Sequence, residues 1–211
     1  MWRAWREALA DRRFAVEWLL TLAGLVAVLS GLARFLDWLE ARPGVVLPDP
    51  VLALLRPRDL TWLTFGLIYA GLAAGIALLA RQPRRLAAAM QAYALLVLFR
   101  MVAMWLAPLE APPGMLLLRD PLVEQIATGR PVVKDLFFSG HTSTMFLLFL
   151  AVPGRAARTL FLACAAGVGA CVLMQHVHYA VDVLAAPFFA YASFALVGRA
   201  RELAGAAPPS A

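Results

Sequence analysis

Two short histidine motifs are the parts of this chain whose residue types could do chemistry. Residues 139–142 read Ser-Gly-His-Thr and residues 178–182 read His-Tyr-Ala-Val-Asp, and an apolar stretch follows each motif. Together they hold two of the three histidines in the 211-residue chain. A titratable side chain at a membrane boundary is costly to bury and is commonly functional. The two motifs therefore predict a single site, and the chemistry that fits it is phosphoryl transfer on a lipid.

The second motif predicts an activated histidine. His178 and Asp182 are four residues apart, which would put both on one face of a helix, with the carboxylate leaning back toward the imidazole. An aspartate that accepts from one ring nitrogen fixes the tautomer and leaves the other nitrogen free to attack phosphorus. The structural alternative is an aspartate that only stabilises the start of a helix through its dipole.

The first motif predicts an anion site beside a proton donor. Ser139 is a preferred helix cap, and Gly140 lets backbone N–H groups approach a ligand closely. A phosphate at this helix start would be bound by backbone amides. His141 would then give or take a proton at the entering or leaving oxygen. The alternative is a capped helix with a histidine at the membrane interface.

Arg100 is the third candidate, because a lone guanidinium deep in an apolar helix needs an anionic partner. It lies about seven residues, or roughly 10 Å, from the outer end of its apolar stretch. We predict that it binds phosphate oxygens and transition-state charge. The alternative is a structural ion pair with Asp37, Asp59 or Asp182.

The elements that must position these residues are apolar stretches of membrane-spanning length. The chain is 63% hydrophobic, well above an ordinary soluble domain. Because lipid cannot satisfy an open backbone, the stretches must be helices. We predict an all-α integral membrane protein with six transmembrane helices, at 14–36, 60–80, 86–107, 136–152, 158–175 and 178–198.

The predicted domain organisation has three parts. Residues 1–13 are expected to form an interfacial amphipathic helix, because two tryptophans recur at helical spacing among arginines. Residues 14–203 form the six-helix transmembrane catalytic domain, and residues 204–211 a disordered tail.

The positive charge predicts the topology and argues against a nucleic-acid partner. The net charge is +6, but eleven arginines fall on one side of the six-span topology. The positive-inside rule then puts both termini in the cytoplasm and the two histidine motifs on the extracytoplasmic face. The preference for arginine over lysine indicates a bacterial gene, and hence the bacterial inner membrane. The eleven residues are Arg3, Arg6, Arg12, Arg13, Arg81, Arg84, Arg85, Arg155, Arg158, Arg199 and Arg201.

The motifs resemble a known family. Residues 135–142 (Asp-Leu-Phe-Phe-Ser-Gly-His-Thr) and 178–183 (His-Tyr-Ala-Val-Asp-Val) are similar to the sphingomyelin synthase branch of the type-2 phosphatidic acid phosphatase (PAP2) superfamily. Residues 98–109 also resemble that branch's arginine-bearing third helix, and the resemblance runs from about 84 to 191. It implies a six-helix membrane enzyme with cytosolic termini.

The resemblance also implies a mechanism and its partners. His178 would be the nucleophile, oriented by Asp182, and would form a phosphohistidine with a phospholipid head group. His141 would protonate the departing diacylglycerol oxygen and then deprotonate the acceptor hydroxyl of ceramide or a diacylglycerol-like lipid alcohol. No metal or other cofactor is expected, and none of the zinc-type spacings occurs.

Departures from the phosphatase branch favour the synthase-like branch. Val123 stands where a Lys-x6-Arg-Pro motif would have its lysine, although Arg130 and Pro131 are present. Val172 stands where the phosphatases place an arginine six residues before the nucleophile. Ala180 replaces a threonine usual in the synthase branch, so the donor and acceptor are not carried over.

Two other functions remain compatible with these residues, and the head-group pocket is not yet defined. A lipid phosphatase or phospholipase C-like hydrolase would use the same residues with water as acceptor, and a non-catalytic lipid-binding membrane protein is the third reading. The sequence leaves the head group and oligomeric state open. Candidates for a choline or ethanolamine head-group pocket are Glu124, Asp135, His176 and Tyr179, with the aromatic side chains of Trp105, Phe137 and Phe138. The alternative is that they are rim or membrane-interface residues, and that His176 lies in a loop or at a helix start.

Overall fold

A computed structural model of the chain describes residues 1–118 and 132–205. Over these residues the secondary structure is helical, with an isolated parallel bridge between Val45 and Leu109 and a short 3₁₀ turn at Leu52–Leu54. The helices are α1 (Trp2–Ala10), α2 (Arg12–Glu40), α3 (Thr61–Leu79), α4 (Pro83–Leu106), α5 (Gly140–Ala151), α6 (Arg155–Met174) and α7 (Ala180–Leu203). The predicted all-α membrane bundle is confirmed.

Five of these helices are long and apolar enough to cross a membrane, whereas α1 and α5 are shorter. In the described part of the chain α2, α3, α4, α6 and α7 meet both conditions. The apolar helix α5 has 12 residues, which gives a length of about 18 Å, short of the roughly 30 Å of a hydrocarbon core. The bundle therefore combines five full-length spans with one short helix.

The short helix begins later than predicted because the chain before it is bonded elsewhere. The fourth span was expected from residue 136, whereas α5 starts at Gly140. The carbonyl of Phe138 accepts from Arg100, and the N–H of Ser139 donates to the Asp182 carbonyl, so neither group is used inside a helix. Phe137 has a φ of 38°, outside the right-handed helical region. We call residues 132–139 the strap.

The short helix α5 lies at the centre of the bundle. It packs against α6 and α7, while α2 packs on α4, α4 on α7, and α3 on α6. On α3, Gly71 and Gly75 allow Met145 and Leu148 of α5 to approach its backbone. Phe138 of the strap is fully buried and stacks on Phe189 of α7, with ring centroids 4.2 Å apart. The start of α5 is therefore held inside the protein.

Helix α7 runs opposite to α2 and α4, as two polar clusters at opposite ends of the bundle show. At one end Arg201, near the end of α7, bonds to Glu17 of α2 and to Gln91 of α4. At the other end the hydroxyl of Tyr179, just before α7, donates to the Glu110 carbonyl and accepts from the N–H of Leu47. The loops of the second end surround the histidine motifs.

A helix is present over most of the predicted interfacial segment at 1–13. The indole of Trp5 donates to the carbonyl of Ala80 at 2.8 Å, and its ring meets Trp18 of α2 edge-on at 4.9 Å. These contacts fasten α1 to the ends of α2 and α3. Its position at a membrane interface remains a prediction. Of the predicted tail, 204–211, the structure describes only Ala204 and Gly205.

Candidate active site

His178 and Asp182 meet at the start of α7. The imidazole Nδ1 lies 3.1 Å from Asp182 Oδ2, and the two side chains are 3% and 0% exposed. The same oxygen accepts the backbone N–H of Tyr179 at 3.1 Å. Because a carboxylate can only accept, Nδ1 carries the proton and Nε2 is the ring nitrogen that Asp182 leaves with a lone pair.

The geometry of this pair differs from the predicted one. The two residues were expected on one face of a continuous helix, but α7 begins at Ala180 and His178 lies before it. The contact forms because Asp182, in the first turn of α7, reaches back over the helix start. An aspartate there also satisfies backbone N–H groups that have no partner inside the helix. Asp182 therefore caps the helix and orients the imidazole at the same time.

The first motif caps α5 and is bonded to the second. Ser139 is the N-cap residue, and its Oγ accepts the N–H of Thr142 at 3.4 Å and lies 3.0 Å from the Thr142 hydroxyl. The N–H of Ser139 donates to the carbonyl of Asp182 at 3.1 Å. His141 lies in the first turn of α5, with its ring edge-on to Phe65 of α3. The starts of α5 and α7 therefore meet directly.

Arg100 points into the same region and is held by the strap. Its Nε donates to the carbonyl of Phe138 at 3.0 Å and its Nη2 to the carbonyl of Asp135 at 3.4 Å. Nη2 also forms an ion pair with the Asp135 carboxylate. The ion-pair partner is thus Asp135, and none of the three aspartates considered from the sequence. Asp135, a head-group candidate, is committed to Arg100.

Asp135 is the counter-ion of this guanidinium. Burial raises the pKa of the Asp135 carboxyl, the charge and hydrogen bond of Arg100 lower it, and the net shift is downward. Asp135 is consequently ionised at neutral pH. The pair contributes one positive and one negative charge to the site.

Gly140 is required by the close approach of Arg100. A Cβ at this position would collide with the guanidinium. The sequence predicted a close backbone approach to a ligand at Gly140, and the structure shows that Arg100 occupies the space beside it. A cation next to the start of α5 adds to the positive end of the helix dipole. Both features favour an anion at this point.

Five of the candidate residues line one cavity of about 310 Å³, and Ser139 and Asp182 lie behind its wall. Its polar part is formed by Arg100, Asp135, Gly140, His141 and His178. The remaining wall is largely apolar and comes mainly from α2, α3 and α4, with the side chains of Leu32, Leu36, Phe65, Ile68, Leu72, Leu96 and Val97. A cavity with one polar and one apolar wall matches the two-part chemistry of a phospholipid.

Several cavity residues were missed by the sequence analysis. Tyr93, Ser143, Thr144 and Val177 line the cavity but were not predicted. Helical spacing is the signal that could have found some of them. Tyr93 lies two turns before Arg100 on α4, and Thr144 lies one turn from Gly140 on α5.

The strap is fixed at its outer end by charged side chains. Glu40, the last residue of α2, accepts the backbone N–H groups of Val133 and Lys134, both at 2.8 Å. The Lys134 ammonium donates to the carbonyl of Arg42 and to Glu110, both at 2.8 Å. Lys134 is the only lysine of the chain, but no sequence signal links it to these partners. These contacts hold the segment that carries Asp135.

Tyr179 and His176 are not among the residues that line this cavity, and their head-group role remains a prediction. Tyr179 is fully buried, and its hydroxyl joins the outer loops as described above. His176 has a φ of 56°, and its Nδ1 lies 3.1 Å from the carbonyl of Pro113. Both residues fasten loops to the segment before α7. Tyr179 and His176 are 0% and 6% exposed.

The remaining head-group candidates either lie away from the cavity or fall outside the described residues. Trp105 is half exposed on α4, and Phe138 is packed on Phe189. Glu124, together with Val123, Arg130 and Pro131 of the family comparison, lies outside the residues that the structure describes. Of the head-group candidates, Asp135 is the one that the described cavity contains. No group of three or more metal-type ligands occurs in the described part of the chain.

Comparison with known protein families gives a match to part of the chain. The profile of the PAP2 superfamily C-terminal region matches residues 134–199. The match supports the PAP2 superfamily. It covers Asp135, both histidine motifs and Asp182, whereas Arg100 lies before it, and it assigns no branch within the PAP2 superfamily. No curated protein matches the chain.

Proposed function

We propose that this protein is a membrane lipid phosphotransferase of the sphingomyelin synthase type. It would move the phosphate-bearing head group of a phospholipid to the hydroxyl of ceramide or a diacylglycerol-like lipid alcohol. The observation that carries the proposal is the His178–Asp182 contact in a cavity that also holds His141 and Arg100. A PAP2 superfamily protein with these groups is expected to act on phosphoesters.

In the first step Nε2 of His178 attacks the phosphorus of the donor lipid. A P–N bond forms, the P–O bond to diacylglycerol breaks, and His141 gives its proton to the departing oxygen. The imidazolium that develops is stabilised by Asp182, which is buried against it. Arg100 and the start of α5 favour the negative charge of the phosphorane-like transition state.

In the second step the acceptor hydroxyl loses its proton to His141 and attacks the phosphohistidine. The new P–O bond replaces the P–N bond, and His178 returns to its starting form. A proton taken up in one half-reaction is thus released in the other. This symmetry suits transfer between two lipid alcohols of similar shape.

The charge of the cavity supports a phosphodiester donor. Among the described lining residues, Arg100 is the one fixed cation, and Asp135 neutralises it. A phosphodiester carries one negative charge, whereas a phosphomonoester carries close to two at neutral pH. The weakly charged site is better suited to the former.

Hydrolysis is the second candidate function. The same residues would serve a lipid phosphatase or phospholipase C-like enzyme if water discharged the phosphohistidine. The polar face of the cavity supports this reading, since it would admit water as readily as a lipid hydroxyl. The topology proposed with either function has cytoplasmic termini and an outward-facing site in a bacterial inner membrane, which the arginine distribution supports.

The test is an incubation of the purified protein with phospholipids of different head groups, with and without ceramide or diacylglycerol. Product that requires the lipid acceptor supports the transferase, whereas head-group phosphate released without acceptor selects the hydrolase. Consumption of no lipid would select a non-catalytic lipid-binding protein.

We expect kcat to fall by on the order of 10²–10⁴-fold in Asp182→Asn. His178→Ala should abolish turnover and incorporate no label from a phosphorus-labelled donor. Full turnover by His178→Ala on every lipid that the wild type processes would contradict the proposal.

A further inference from the structure

In the ion pair of the cavity wall, backbone carbonyls anchor the arginine and the aspartate side chain adds a negative charge. Arg100 and Asp135 are the one fixed cation and the one carboxylate among the described residues that line the cavity. The guanidinium is anchored by two backbone carbonyls, those of Phe138 and Asp135, and it rests against Gly140. Neither backbone contact involves the Asp135 carboxylate. Arg100 therefore has two anchors that do not depend on the side-chain carboxylate, whose distinctive contribution is negative charge.

The strap backbone that supplies these carbonyls is also held independently of Asp135. Glu40 accepts the N–H groups of Val133 and Lys134, and the N–H of Ser139 donates to the Asp182 carbonyl. An uncharged residue of the same shape at position 135 should therefore leave Arg100 where it is. Such a residue would change the net charge of the cavity wall by one unit.

We propose that Asp135 is a specificity-determining residue, whose carboxylate cancels the charge of Arg100 so that the site accepts a phosphate group with one negative charge and disfavours one with two. The inference rests on the proposed function, because it concerns the same phosphate-binding cavity. A second negative charge on the ligand would face the Asp135 carboxylate at short range, where solvent screens it poorly. A phosphodiester avoids this repulsion, and a phosphomonoester does not.

The experiment compares two small competitors of turnover at pH 8. Dimethyl phosphate is a monoanion, and methyl phosphate is a dianion at this pH because its second proton has a pKa near 6. Inhibition constants are measured for the wild type, for Asp135→Asn and for Asp59→Asn, using the phospholipid that the wild type processes. Asp59 is a matched control, since it is an exposed carboxylate before α3 on the same side of the protein and does not line the cavity.

We expect Asp135→Asn to shift the ratio of the two inhibition constants toward methyl phosphate by about tenfold or more, as one removed charge at close range would do. Asp59→Asn should leave the ratio unchanged, and Asp135→Glu should keep the wild-type ratio because it keeps the charge. Asp135→Ser is measured in parallel, so a poorly folded asparagine variant does not decide the result. The double variant Arg100→Gln, Asp135→Asn should lose the gain.

Equal effects on both competitors would overturn the inference and reduce Asp135 to a structural residue. The same conclusion would follow if Asp59→Asn shifted the ratio as much as Asp135→Asn does. Failure of the proposed function has a different signature. In that case the wild type itself turns over no phospholipid, and neither phosphate ester binds to it.

Discussion

One carboxylate oxygen of Asp182 accepts two hydrogen bonds. Its Oδ2 accepts both the Nδ1–H of His178 and the backbone N–H of Tyr179, each at 3.1 Å. The backbone contact fixes where the carboxylate lies, and the carboxylate in turn fixes the imidazole. A histidine oriented through a helix cap needs no further side chain to hold its ring.

Gly140 offers the sharpest test at the scale of a single residue. In Gly140→Ala the added methyl group would displace the Arg100 guanidinium from the start of α5. Since small misplacements of a charge-stabilising group are expensive, we expect kcat/KM to fall by on the order of 10²-fold. Steady-state kinetics on the donor lipid measure the effect.

The matched control for this substitution is Gly24→Ala. Gly24 lies in α2 with no atom within 4 Å of an added Cβ, so the variant should keep wild-type kinetics. It should gain a little stability, because alanine is the better helix former by about 0.5–1 kcal/mol. Equal kinetics in both alanine variants would show that Arg100 does not need the space beside Gly140.

At the scale of elements, the start of α7 is held by the loop between α2 and α3. Asp49 accepts the N–H of Ala180 at 2.6 Å through one carboxylate oxygen and the N–H groups of Val51 and Leu52 through the other. Burial raises the pKa of Asp49, but these hydrogen bonds lower it by more, so it lies below its ordinary value of 3.8. The loop therefore caps the helix that carries Asp182.

The lowered pKa of Asp49 gives a pH dependence with a defined sign. The fold favours the ionised carboxylate, so its stabilisation is complete above the ordinary pKa and is lost as the pH falls through the lowered one. Asp49→Ala should lower the free energy of unfolding by about 1 kcal/mol at pH 7, as loss of a helix cap does. The difference in Tm from wild type should shrink below pH 3.

Thermal unfolding in detergent at pH 7 and below pH 3 measures this difference. Glu202→Ala is the control, because Glu202 is an exposed acid at the other end of α7. It should show no such difference at either pH. A Tm difference for Asp49→Ala that is the same at both pH values would rule out the charged cap.

The sequence predicted the helices well and the segments between them poorly, for a physical reason. Apolar length alone dictates a helix in lipid, so the spans could be read from composition. The strap is different, because its path depends on Arg100, Glu40 and Asp182, which are distant in sequence. The sequence therefore predicts Asp135 as a head-group ligand but does not reveal its ion pair with Arg100.

At the scale of the whole molecule, the two ends of the bundle serve different purposes. One end is closed by the contacts of Arg201 with Glu17 and Gln91, which join α2, α4 and α7. The other end is built from loops that surround the cavity. Because the short helix α5 starts inside the protein, its positive end and His141 are carried below the level of those loops.

The orientation of the whole molecule can be tested at the two ends of a single helix. Asp59 precedes α3 and Arg81 follows it, both are exposed, and the 19 residues between Thr61 and Leu79 span about 28 Å. Asp59→Cys and Arg81→Cys are made in a background where Cys164 and Cys171 of α6 are replaced by alanine. Because the arginine-rich end is predicted to be cytoplasmic, a membrane-impermeant maleimide should label Asp59→Cys in intact spheroplasts and Arg81→Cys only after lysis. The opposite pattern would put both histidine motifs on the cytoplasmic side and would require a cytoplasmic source for the lipid acceptor.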